Sequence, residues 1–164
     1  MKKFLSNILA ICAGVFAFLG LIMPAVGHYT NVIVGDKTST DSGYNFISFA
    51  DGTETSQIMF SVFAIIMMVI AALLVCVSVV RLFVNNKKNN FGTIQNILSC
   101  FLAIFAIATL ICAIIFVNDY NSSILFVADY NYAFIGIGSI INCAVLVVLA
   151  ILTFLFNCSK KKKK

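Results

Sequence analysis

Tryptophan is absent from this 164-residue chain, proline and histidine occur once each (Pro24 and His28), and Arg81 is the single arginine. Each scarcity narrows the chemistry. With His28 alone at the edge of an apolar run, neither His-assisted nucleophilic catalysis nor a zinc site can be assembled. Charged residues make up only 10% of the chain, against about 25% in soluble domains. The long apolar runs contain no Asp, Glu, Lys, Arg or His in their interiors. A proton relay, an ion path or a proton-coupled transporter acting alone would need such groups. The runs also lack the Gly/Pro interruptions that transporters use for binding at mid-membrane. No phosphate-binding glycine loop is present. A non-enzymatic chain without cofactor or metal is therefore expected.

Six cysteines (Cys12, Cys76, Cys100, Cys112, Cys143 and Cys158) show no Cys-x-x-Cys spacing, and none lies in the longest polar segment. They read as small apolar residues, with Cys158, beside a lysine run, as a lesser candidate for palmitoylation.

What is present is apolar surface. Hydrophobic residues account for 62% of the chain, against roughly 45–50% in soluble domains. A helix crosses about 30 Å of hydrocarbon with about 20 residues. The segments at about 4–26, 58–80, 97–117 and 133–156 satisfy that requirement. The fold class expected is an all-α membrane protein, an antiparallel four-helix transmembrane bundle with a small extracellular β-hairpin cap, built as a single integral membrane domain over residues 1–164.

Charge orients the spans, because Lys and Arg are retained on the cytoplasmic side. Lys2, Lys3, Arg81, Lys87, Lys88 and Lys160 to Lys164 fall at the amino end, in the 81–96 connection and in the 157–164 tail, which four crossings put on one face. All six acids, Asp36, Asp41, Asp51, Glu54, Asp119 and Asp129, fall in the 27–57 and 118–132 connections with Lys37. The division is +10 against −5. A multi-pass plasma-membrane protein with both termini cytoplasmic is expected. The first run also has the basic start of a secretory signal, and Ala25-Val26-Gly27 resembles a cleavage site. Its length exceeds the usual 7–15 apolar residues of a signal core, so retention as a span is the expectation.

Lipid supplies no hydrophobic drive between helices, so their association relies on small residues and polar contacts. Each run has a small-residue stripe: Ala10, Ala13, Gly14, Ala17 and Gly20; Ser61, Ala64, Ala71 and Ser78; Ser99, Ala103, Ala106 and Ala113; Gly136, Ser139, Cys143, Ala150 and Thr153. Asn142, the deepest strongly polar side chain, is the candidate interhelical polar contact, since a buried amide needs a partner. Gln95 and Asn96 are expected at the inner boundary, within reach of headgroups or water.

The 27–57 connection has two strand-like runs, Tyr29 to Val34 and Tyr44 to Phe49, separated by turn-forming "GDKTSTDSG". A hairpin over the bundle is expected, with Ile124 to Val127 able to lend a third strand and Tyr44, Phe46 and Phe49 as a candidate partner surface. Tyr120, Tyr130 and Tyr132 fit an interfacial aromatic belt. Asn121-Ser122-Ser123 matches a glycosylation tripeptide that is frequent by chance. Lys160, Lys161, Lys162, Lys163 and Lys164 are candidate lipid-headgroup contacts. Ten of the eleven basic residues gathered on one membrane face, with no folded basic domain beside them, argue against a nucleic-acid partner.

Four spans, cytoplasmic ends and a larger, strand-bearing first outer segment resemble the claudin-type tetraspan layout. The Trp-rich signature and paired cysteines of that family are missing between Gly27 and Gln57, so none of its contacts transfers to a residue here. The layout is equally similar to that of small four-span proteins of AT-rich Gram-positive bacteria. The function expected is that of a membrane scaffold or accessory subunit acting through helix faces and outer loops, with membrane lipids and a membrane-protein partner or second copy as contacts. The alternative is a small pore-forming, holin-like or bacteriocin-immunity-type membrane protein.

Overall fold

A computed structural model of the chain describes residues 2–32, 35–46, 55–84, 90–124 and 132–158. It is mostly helical. Four helices, α1 (Lys2–Gly20), α3 (Thr55–Phe83), α4 (Phe91–Ile124) and α5 (Ile137–Cys158), are long and apolar enough to cross a membrane. The remaining elements are a three-stranded sheet of β1 (Pro24–Val32), β2 (Gly35–Ser42) and β3 (Tyr132–Ile135), and a single helical turn, α2 (Gly43–Phe46).

Helix α3 packs against α1 and α4, and α5 closes the group by packing on the same two. The buried positions of α3, Phe60, Ala64, Met67, Ala71, Leu74 and Ser78, recur every three or four residues. That spacing keeps one narrow seam turned toward the neighbours. Ala10, Ala13 and Ala17 of α1, Leu102, Ala106 and Ala113 of α4, and Leu146 of α5 complete the core. The small-residue stripes thus face inward, with only Ser139 of those residues half-buried. The larger aliphatic side chains, such as Val69, Ile104, Ile151 and Leu155, remain on the outside.

The first helix stops six residues earlier than its apolar run. Ile22 and Met23 donate to the carbonyls of Leu19 and Gly20 at 3.0 and 3.3 Å, tightening the last turn. Pro24 has no N–H to continue the ladder and biases its predecessor toward extended backbone. Nineteen helical residues already cover about 28 Å, close to the ~30 Å of hydrocarbon. Residues 24–26, expected at the end of span one, are therefore the start of a strand, and Ala25 and Val26 are buried in it.

The cap is a sheet of order β2-β1-β3, both pairings antiparallel, in place of the expected two-stranded hairpin. Its strands are displaced from the expected runs. Val32 pairs with Gly35, so "GDKTSTDS", expected as the turn, is the second strand itself. Its Gly, Asp and Ser have weak strand preference, but pairing along β1 overrides a propensity worth at most about 1 kcal/mol. Tyr44 and Phe46, expected in a strand, lie in α2, where the Ser42 hydroxyl caps the turn by accepting from the Asn45 amide at 3.2 Å. Phe49 lies outside the described residues.

The third strand comes from Tyr132–Ile135, where span four was expected to begin, and not from Ile124 to Val127. Ile124 is the last residue of α4, and 125–127 lie outside the described residues. Tyr132 pairs with Tyr29, and the two rings stack at 4.9 Å. Tyr120 stacks instead on Phe116, and Tyr130 lies outside the described residues. Asn121 holds β3 against α4. Its Oδ1 accepts from the Ala133 amide at 2.7 Å and its Nδ2 donates to the Ala133 carbonyl at 3.0 Å, as a neighbouring strand would.

Beyond β3 the chain turns at Gly136, whose N–H donates to the Ala25 carbonyl at 2.9 Å, and Ser139 Oγ donates to that carbonyl at 3.1 Å. A Cβ on Gly136 would strike the Pro24 carbonyl oxygen, which is backbone and cannot rotate away. Gly136→Val is thus expected to pry the sheet off α5 at a loss of about 1–3 kcal/mol, the usual range for overpacking. Thermal unfolding in detergent micelles checks this. An unchanged midpoint would show that the sheet does not brace the helices.

Candidate functional site

The densest polar chemistry lies at the other end of the helices. Ser78 and Arg81 are three residues apart on α3 and so share a face. Ser6 and Asn7 come from the first turns of α1, Gln95 and Asn96 from the first turns of α4, and Asn157 from the last turn of α5. All four long helices therefore contribute.

Arg81 is the hub. Its Nη1 donates to Ser6 Oγ at 3.2 Å, to Asn157 Oδ1 at 2.9 Å and to Gln95 Oε1. Gln95, fully buried, donates through Nε2 to Asn7 Oδ1 and to Ser78 Oγ, each at 2.8 Å. Ser78 Oγ donates on to the Leu74 carbonyl at 2.6 Å, and Ser6 Oγ to the Lys3 carbonyl at 3.0 Å. Asn157 Nδ2 donates to Asn96 Oδ1 at 2.7 Å and to the Gly92 carbonyl at 3.3 Å. Lys3 Nζ reaches the Val84 carbonyl at 3.3 Å, beyond the end of α3.

Among the described residues, Arg81 thus meets three uncharged oxygens and no carboxylate. Neutral amides and hydroxyls spread its hydrogen bonds over α1, α4 and α5 while leaving the positive charge in place. Among the buried atoms of the cluster, Asn7 Nδ2 has no partner. Among the described residues, no three His, Cys, Asp or Glu side chains gather closely enough to hold a metal ion.

Asn142, singled out from sequence, lies elsewhere. It is 4% exposed on α5, and its amide covers Gly20 at the end of α1 so closely that a Cβ on Gly20 would overlap it. Its Oδ1 has no hydrogen-bond partner. Gln95, expected to rely on headgroups or water, is instead satisfied inside the protein by α1 and α3. Of the candidate partner surface, the structure places the backbone of Tyr44 and Phe46 in α2, and Lys160 to Lys164 lie outside the described residues. Cys112 and Cys143 are buried, while Cys12, Cys76, Cys100 and Cys158 are exposed, and all six are free thiols.

Sequence reasoning passed over the cluster because it weighed depth in the apolar run. The usable signal was different: an uncharged or basic polar residue stands within two turns of the same end of all four runs. Compared with protein-family models, curated proteins and solved structures, the chain matches none.

Proposed function

We propose that the chain is a non-enzymatic integral membrane protein, an antiparallel bundle crossing the plasma membrane four times with both termini cytoplasmic, that serves as a scaffold or accessory subunit. The observation that carries this is the surface of the helices. Only 28–39% of their most apolar stretches is buried within the chain. Soluble monomers rarely show contiguous apolar patches beyond a few hundred Å², so hydrocarbon is the solvent that suits the rest. The cluster of Arg81, Gln95 and Asn157 lies on the basic, cytoplasmic face, and the sheet lies on the outer face with the acids. Partners meet the outer faces of the helices and the region around β2 and α2.

Between the cluster and Asn142 the interior is filled by Ala10, Ala13, Ala17, Ala64, Met67, Ala71 and Leu74, each at most 1% exposed. Such filling favours a scaffold over a pore formed by one copy. Topology is tested with a membrane-impermeant maleimide. Ser122→Cys, at the sheet end, is expected to label in intact cells, and Cys158 only after permeabilisation. The reverse pattern would invert the orientation. Gentle solubilisation with crosslinking is expected to recover a stoichiometric partner or homo-oligomer. A strictly monomeric chain without partners, or rapid depolarisation on induced expression, would sink the scaffold.

A further inference from the structure

One outer face of the helices is not evenly ridged. Between α4 and α5 runs an apolar groove in two overlapping lobes of about 460 and 500 Å³, with Cys100, Ile104 and Phe154 lining both. Ala103 and Ala150 form its floor, and their small side chains are what make it deep. The lobe at the cytoplasmic end is bordered by Thr93, Asn96 and Cys158. From Thr93 to Ile107 the groove follows fifteen residues of α4, a rise of about 21 Å. That is the depth of one leaflet, half of ~30 Å, plus part of the headgroup layer.

Its polar end adjoins the Arg81 cluster. Asn96 Oδ1 accepts from Asn157, which accepts from Arg81. Arg81 Nη2 lies beside the first turn of α4, 3.1 Å from where a Cβ on Gly92 would stand. The Arg81 charge has no acid against it among the described residues, and the sequence adds Lys160 to Lys164 two residues beyond Cys158. An apolar slot one leaflet deep that opens beside uncompensated positive charge matches the chemistry of an anionic phospholipid.

We infer that the α4–α5 groove is a binding site for a single anionic phospholipid, with an acyl chain over Ala103 and Ala150 and the phosphate at the Thr93, Asn96 and Arg81 end. A second copy is the less suitable occupant. Inserted the same way round, it would bring its own lysine-rich end to this level, like charge against like. The proposal rests on the four membrane crossings, and the two fail differently. Release by alkaline carbonate washing would remove the crossings, whereas a chain that stays in the membrane but is indifferent to lipid charge removes only the site.

Native mass spectrometry of the full chain in detergent, titrated with phosphatidylglycerol or phosphatidylcholine of the same acyl chains, tests it. Phosphatidylglycerol is expected to bind at least tenfold more tightly at low salt, with the preference shrinking as salt rises. It should also slow maleimide alkylation of Cys100 in the groove and leave exposed Cys76 on α3 unaffected. Ala150→Phe, which fills the floor, should weaken phosphatidylglycerol binding at least fivefold, while Val69→Phe on an exposed face of α3 should not. Because the wild-type alkylation comparison needs no variant, misfolding of Ala150→Phe would not shield the proposal. Equal affinity for the two lipids overturns it. Equal protection by free glycerol phosphate overturns the acyl groove, and chemical crosslinking of two copies through Cys100 that prior addition of phosphatidylglycerol does not reduce assigns the face to a second copy.

Discussion

Gln95→Leu is expected to destabilise the four helices by about 2–3 kcal/mol, one of the two largest single-residue effects in the chain. Its side chain joins α1, α3 and α4 at once, through Asn7, Ser78 and Arg81. Ser78 keeps its bond to the Leu74 carbonyl, and Arg81 keeps Ser6 and Asn157. Asn7 keeps nothing. Its Nδ2 is already without a partner, and removing Gln95 strands its Oδ1 in a side chain only 1% exposed. A buried polar group left unsatisfied costs about 1–3 kcal/mol.

Gln95→Glu separates hydrogen bonding from shape. A carboxylate offers only acceptors, so Asn7 can turn its amide to present Nδ2, Ser78 can rotate its hydroxyl to donate, and Arg81 gains a charged partner. Gln95→Glu is therefore expected to stay within about 1 kcal/mol of the parent, since a charge-assisted bond is roughly twice as strong as a neutral one. Unfolding by added dodecyl sulfate, followed by helical circular dichroism in detergent, measures both variants. If Gln95→Leu unfolds with the parent, the cluster does not hold the helix ends together.

Gly20→Ala is the second large effect, at about 2–3 kcal/mol, in the upper range for overpacking. The added methyl would occupy the space of the Asn142 amide, where α1 meets α5. A double-mutant cycle isolates that contact. Asn142→Ala alone is expected to change stability by less than about 1 kcal/mol, because the oxygen it removes has no partner in the protein. Combining the two should recover most of the loss from Gly20→Ala. Recovery falls short of complete because the Asn142 Cβ itself stands 3.0 Å from the new methyl. Purely additive losses would mean that Gly20 matters for ending α1 and not for admitting Asn142.

The helices were legible from sequence and their ends were not. Each apolar run carries its own evidence, since 20 residues without charge are a local property and a helix satisfies its backbone within itself. The run from Phe4 to Val26 reads as continuous, yet Leu21 to Val26 can satisfy its backbone in two ways. Strand β1 prevails because Ala25 finds partners in Gly136 and Ser139, more than a hundred residues away. The same holds for "GDKTSTDS", whose residues favour turns until β1 lies alongside.

Sequence by itself determined four helices apolar enough for a membrane, a stripe of small residues along each, and the segregation of basic from acidic residues, whereas the inward direction of those stripes came from the packing. The former follow from composition and from a period of 3.6 residues, which neighbours along the chain suffice to define. Only the tertiary structure decided that the cap has three strands drawn from two connections, that Asn142 packs on Gly20, and that Ser6, Asn7, Ser78, Arg81, Gln95 and Asn157 form one network. Each of those depends on pairing residues distant in sequence, and hydrogen bonds 75 to 88 residues apart along the chain leave no mark on either partner's neighbours.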